Sequence, residues 1–95
     1  MQLTWVNSTP GPRQRPLKST VIDARTDPSL PWGTLAIVPA GTSQLAIDPS
    51  FAPGDYTARA TEIDVGNVAS TNQPTCTFSI GADPPSGVTA FTFVP

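Results

Sequence analysis

Pro53-Gly54-Asp55 is a strong turn signal, and it opens directly onto a run in which apolar and polar side chains alternate at every second residue. Tyr56, Ala58 and Ala60 fall on one face of that run, and Thr57, Arg59 and Thr61 on the other. A period of two describes a strand with one buried and one wet face. The rest of the composition points the same way. Twelve prolines and seven glycines exclude long helices, because each proline removes a backbone donor and blocks helical continuation. The frequent Thr, Val and Ile suit half-buried pleated surfaces. Ninety-five residues, 38% of them apolar, allow one domain with a single thin core. The expected class is all-β.

Further strands follow in order along the chain. Met1, Leu3 and Trp5 alternate with Gln2, Thr4 and Val6 in a short first strand, and the proline-broken stretch 10–16 is a loop. Residues 17–24 form the next strand, with Thr20 and Ile22 opposite Val21 and Asp23. After the breakers Asp27-Pro28-Ser29-Leu30-Pro31, residues 34–38 and 44–47 are strand candidates, the latter with Leu45 and Ile47 on one face. Residues 56–63 are the fifth strand, and Asp64-Val65-Gly66-Asn67 is a turn. Pro74 introduces the last, with Cys76, Phe78 and Ile80 predicted to point inward. Several short strands separated by turn signals predict a sandwich.

The stretch Phe51-Ala52-Pro53-Gly54-Asp55-Tyr56 resembles the corner of a fibronectin type III or immunoglobulin-like sandwich. In those domains a Leu-x-Pro-Gly-x-Tyr pattern turns the chain between sheets, and the tyrosine hydroxyl bonds to upstream backbone. The resemblance implies that Phe51 replaces the leucine, that Pro53 and Gly54 form the turn, and that Tyr56 is the corner tyrosine. It also implies that the Leu3-x-Trp5 strand is strand B with its tryptophan in the core, that 17–24 is C, and that 44–47, 56–63 and the strand after Pro74 are E, F and G. The resemblance covers about three quarters of the chain. Continued alternation along the fifth strand carries Glu62 inward, where a carboxylate needs a partner. The alternative is a bulge near Glu62 that turns Ile63 inward.

Matching the first strand to B leaves strand A without a place before it, whereas residues 84–95 resemble a strand A with a proline-rich lead. Val88, Ala90 and Val94 lie on one face of that segment, and Phe91 and Phe93 on the other. A strand apolar on both faces calls for cover from water. Each ring would contribute ~1.5–3 kcal/mol if buried. Residues 1–80 are therefore expected to form the sandwich, and 81–95 a proline-containing linker and C-terminal strand or arm. Three fates stay open for the arm: a permuted strand A closing its own sandwich, a strand added to a neighbouring subunit, or an arm that orders only on a partner. The eight steps from Ile80 to Val88 span at most ~26–29 Å, so self-closure is taut.

The sequence argues against catalysis. It has no histidine, the commonest general base and transition-metal ligand, and no phosphate-cradling glycine pattern. Cys76, the single cysteine, is expected to be a buried, inert thiol in a strand. Asp48, Asp55, Glu62, Asp64 and Asp83 each have a turn or loop explanation, and they are too few for a dedicated calcium cage. No cofactor or metal is expected. With a formal charge of −2, and Arg13, Arg15 and Lys18 confined to one loop, no nucleic-acid surface is expected. No apolar stretch approaches a membrane span, and the Met1-Gln2-Leu3-Thr4-Trp5 opening has no secretory pattern.

Two non-catalytic classes remain. Leu3-x-Trp5, the proline loop, and Pro53-Gly54-x-Tyr56 leading a strand that ends in Asp are similar to fibronectin-like domains of phage virion proteins. That resemblance implies a structural virion component, decorating a capsid or associated with a tail. Its partners would be itself or the capsid and tail proteins, met through its sandwich surfaces and an arm interface of Val88, Ala90, Phe91, Phe93 and Val94. It would be made in the host cytoplasm and located in the virion. The alternative is a carbohydrate- or protein-recognition module on a larger assembly. Trp32, in Leu30-Pro31-Trp32-Gly33, is its candidate ligand contact, for instance with a cell-surface glycan, and the plainer role for Trp32 is an edge aromatic packed over the core.

Overall fold

The computed structural model of the chain describes residues 1–48, 50–82 and 84–95. The described residues are all-β, without a helix: β1 (Gln2–Thr4), β2 (Leu17–Arg25), β3 (Gly33–Pro39), β4 (Gln44–Ala46), β5 (Gly54–Asp64) and β6 (Thr75–Ile80). They form two antiparallel sheets, one of two strands in the order β1-β4 and one of four in the order β3-β2-β5-β6, an arrangement consistent with a β-sandwich.

The register explains which side chains meet. Thr20 pairs with Glu62, Ile22 with Ala60 and Ala24 with Ala58. Cross-strand partners share a face, so this side of the larger sheet carries Thr20, Ile22, Ala24 and Ala58, all buried. Trp5 shares a groove with Ile22 and Ala58, which places the two-stranded sheet over this face. Its strands add the half-buried Leu3 and Leu45, and Ile47 just beyond β4 is buried. The core is thin, since Ile22 is the largest side chain closed completely from water.

Two irregularities adjust the larger sheet. Between β2 and β3, Ile22 faces Ala36 while Asp23 faces Thr34, so Leu35 is the extra residue of a bulge. Between β2 and β5 the register shifts from Ser19 opposite Ile63 to Leu17 opposite Asp64, and Lys18 is the extra residue. The bulge thus lies on β2, and the alternation of β5 runs unbroken through Glu62. A bulge turning Ile63 inward does not form. Glu62 faces inward and finds its partner in the loop after β1: the Ser8 N–H donates to Oε2 at 3.1 Å and the Ser8 hydroxyl to Oε1 at 2.7 Å.

At the start of β5, Gly54 has φ of 153°, which L side chains rarely adopt. The chain reverses there, and the Tyr56 hydroxyl donates to the Ala52 carbonyl at 2.6 Å. Phe51 is half-buried with its ring centroid 6.0 Å from that of Tyr56, and Pro53 is exposed. Tyr56 stacks on Phe78 of the neighbouring strand at 5.1 Å and 8°.

Beyond Ile80 the described residues of the C-terminal segment form no strand, and residues 84–95 are exposed throughout. The longest dimension of the chain is 83 Å. The eleven-residue β5 spans only ~36 Å at 3.3 Å per residue, so much of that length belongs to the segment after β6.

Candidate functional site

Cys76 is exposed, contrary to the buried thiol expected from its strand. The reason is the unequal width of the sheets. β6 is the edge strand of the four-stranded sheet, and only two strands lie opposite. A groove is left between them, with walls from Thr4, Trp5, Val6, Ile22, Ala58 and Cys76, enclosing about 330 Å³. Its lining is mostly apolar and also includes Arg59, whose guanidinium is bound to Asp23.

Thr4, the last residue of β1, and the two residues after it form one rim of this groove. Ile47 donates its N–H to the Met1 carbonyl and Trp5 donates to the Ser43 carbonyl, each at 3.0 Å. In an antiparallel ladder the backbone groups of alternate residues point to opposite sides. With Met1 and Trp5 bonded to the β4 side, the N–H and C=O groups of Gln2 and Thr4 face the other edge. Among the described residues no strand pairs with that edge. The Trp5 indole N–H donates to Asn7 Oδ1 at 3.0 Å, and Asn7 Nδ2 donates to the Thr42 carbonyl at 3.1 Å. Those bonds fix the rim to the β3–β4 turn.

The five arm residues singled out in the sequence lie in the exposed C-terminal segment. Phe91 is 93% exposed and Phe93 88%, with Val88 and Val94 similarly open. Ala90 has φ of 51°, which interrupts an extended conformation at the centre of the segment.

Trp32 is half-buried and does not pack over the core. It lies against the outer face of the larger sheet, with the Arg25 guanidinium 4.0 Å and the Arg59 guanidinium 4.6 Å from its ring centroid. Arg59 in turn binds Asp23 at 2.9 Å, and the Thr34 hydroxyl donates to the other Asp23 oxygen at 3.1 Å. Sequence reasoning singled out Trp32 but not this cluster. Its signal was present, since Asp23 and Arg59 have the same outward parity on adjacent strands. The pairing of β2 with β5 was needed to bring them opposite one another.

The other carboxylates build turns. Asp27 and Asp48 accept from the N–H of Ser29 and Ser50, each at 2.8 Å. Those backbone bonds, helped by the same serines' hydroxyls, hold both carboxyls below the ordinary aspartate value. Asp64 accepts from the N–H of Gly66 and Val68, and Asp55 from the Ser79 hydroxyl. Asp83 lies outside the described residues. Arg15 approaches Asp64 at 3.9 Å and Lys18, which lies at the bulge of β2 and not in the loop where it was expected, donates to Asn67, so two of those three cations turn toward the 64–67 turn. Among the described residues there is no group of three or more His, Cys, Asp or Glu side chains that could hold a metal ion, and no helix long and apolar enough to cross a membrane. No family model matches the chain, and no curated protein or solved structure matches it.

Proposed function

We propose that the chain is a non-catalytic structural protein that works by assembly, a phage virion component decorating a capsid or associated with a tail. The observation that carries this reading is the combination of an exposed apolar segment, residues 84–95, that has no charged side chain with a body in which, among the described residues, no strand pairs with the outer edge of β1. Both features await a protein partner, and neither offers a reacting group.

The finer architecture proposed is immunoglobulin-like or fibronectin type III-like. The pairing of β1 with β4 corresponds to B with E, and the run β2-β5-β6 corresponds to C-F-G, with β3 as an additional edge strand. The bond from Tyr56 to the Ala52 carbonyl supports the same reading, as it has the form of a tyrosine corner. In this frame the open side of β1 is the position of strand A, and the arm is a strand A equivalent. Fold does not carry function, so the virion assignment rests on the sequence resemblance together with the arm.

The test is light scattering over a concentration series and sedimentation with purified particles. It compares the full chain with a Phe91→Asp/Phe93→Asp variant, whose changes fall on exposed positions outside the core. Self-association or particle binding by the full chain, lost in the variant, supports the reading. A full chain that stays monomeric and binds no particle overturns it.

A further inference from the structure

Two polar hollows, of about 470 and 450 Å³, lie side by side between the loop after β1 and the loop joining β5 to β6. Both are lined by Ser8, Gln14, Glu62, Ser70 and Thr71, so they form one cleft with Glu62 common to its two halves. Each half has the size of a small-molecule site, ~300–1,000 Å³. At one end Trp5 and Pro74 line both the cleft and the apolar groove. At the other end stand Arg13, Arg15 and Asp64.

The walls are held before any ligand arrives. Glu62 receives its two bonds from Ser8. Ser70 ties the β5–β6 loop back to β5: its N–H donates to the Glu62 carbonyl at 2.8 Å, and the Glu62 N–H donates to the Ser70 hydroxyl at 3.1 Å. That hydroxyl donates onward to the Asn72 carbonyl at 2.9 Å. The Trp5 indole is fixed by Asn7, and Gln14 by the Gly11 N–H, which donates to its Oε1 at 2.8 Å. A cleft set in this way has less side-chain freedom to lose on binding, one of the costs that oppose association.

The groups left unused define the ligand. Gln14 keeps its Nε2 donors, and the side chains of Thr20, Thr71 and Asn72 make no hydrogen bond among the described residues. Thr20 is 2% exposed, stands opposite Glu62 in the β2–β5 ladder and lines the cleft. A buried hydroxyl without a partner carries a cost that a ligand would remove. The Glu62 carboxylate, with sites for about four bonds, has two taken by Ser8. The unused set thus holds both donors and acceptors. Arg13 and Arg15 balance Glu62 and Asp64, so the cleft has no net charge to neutralise. An ammonium ligand offers donors alone and leaves the amide donors of Gln14 and Asn72 unanswered. An anion offers acceptors alone and meets the Glu62 carboxylate. A hydroxyl donates and accepts, and it answers every one of these groups.

We propose that this cleft binds a neutral saccharide, with its hydroxyls on Glu62, Gln14, Thr20 and Asn72 and an apolar C–H face against Trp5. The inference goes beyond the assembly reading and makes no use of the arm. It also moves the sugar contact away from Trp32, whose ring already lies against the guanidinium groups of Arg25 and Arg59.

The test is a two-dimensional amide NMR titration of the isotope-labelled full chain. The probes are glucose, galactose, mannose and N-acetylglucosamine, and separately glycine, tetramethylammonium and phosphate. Trp5 and Trp32 are the two tryptophans, and a Trp32→Phe variant assigns their indole N–H signals. The expected result is a saturable shift of the Trp5 indole and of the Gln14 and Asn72 side-chain amides with at least one sugar, and none with the three charged probes. Gln14 and Asn72 are exposed, so Gln14→Ala and Asn72→Ala should keep the wild-type circular dichroism. Each should weaken sugar binding about three- to tenfold, the loss of one hydrogen bond. Shifts confined to the surroundings of Trp32, shifts with a charged probe but no sugar, or no saturable shift at all overturn the proposal. Sugar binding of unchanged strength in either alanine variant overturns it as well.

Discussion

Replacing Tyr56 by Phe removes one oxygen and leaves both ring contacts in place. The lost bond is the 2.6 Å donation to the Ala52 carbonyl. An intramolecular hydrogen bond of this kind is worth ~0.5–1.5 kcal/mol net. Ala52 is exposed, so water can reach its carbonyl once the hydroxyl is gone, and the cost should lie in the lower half, about 0.5–1 kcal/mol. For a domain of this size that lowers Tm by roughly 2–8 °C. Tyr56→Leu should cost more. It also removes the stack on Phe78 and the tilted contact with Phe51, about 0.5–1.5 kcal/mol for an aromatic pair beyond its buried area. Urea unfolding followed by circular dichroism measures both variants, with m unchanged if only stability moves. A Tyr56→Phe variant within ~0.3 kcal/mol of wild type would refute the argument that the hydroxyl ties the corner. A variant as damaged as Tyr56→Leu would refute the assignment of the larger share to the rings.

Three further outcomes are expected. Asp23→Ala strands the Arg59 guanidinium against a largely dry face and should cost about 3 kcal/mol, while Asp23→Ala/Arg59→Leu should recover part of that loss, as measured in a denaturant double-mutant cycle. Glu62→Ala removes two bonds to Ser8 and should raise hydrogen exchange at the Ser8 amide, with a stability loss of about 1–2 kcal/mol. In an NMR pH titration Asp27 and Asp48 should both titrate below an ordinary aspartate; because the folded values are depressed, the stability these turns add is full above the unfolded value and lost as pH falls through the folded ones.

The strands were legible because their information is local. The alternation along residues 56–63, the Pro53-Gly54-Asp55 turn and the breakers between strands are all read from near neighbours, and the observed bounds lie within a residue or two of the expected ones, longer for β5 and shorter for β1 and β4. Misread features depended on remote parts of the chain. Cys76 has the parity of a buried residue, but its exposure is decided by how many strands lie opposite β6. Trp32 was visible as an aromatic beside Gly33, whereas its place between Arg25 and Arg59 depends on strand order. Glu62 violated the apolar pattern of its face, and its partner Ser8 is 54 residues away. The arm is a different case. Its apolar character is plain in Val88, Phe91, Phe93 and Val94, but nothing among the described residues of the same chain covers it.

The thin core has a thermal consequence. The heat-capacity change on unfolding scales with newly hydrated apolar surface, ~12–15 cal/mol/K per residue in ordinary domains. Here few large side chains are fully enclosed, and the rings of Phe91 and Phe93 are hydrated before unfolding begins. The free-energy dome of the isolated chain is therefore shallow and broad, changing little between cold and warm conditions. Covering the arm would add its apolar area to the cooperative unit and steepen that curve, so the same sequence would respond to temperature differently alone and in company.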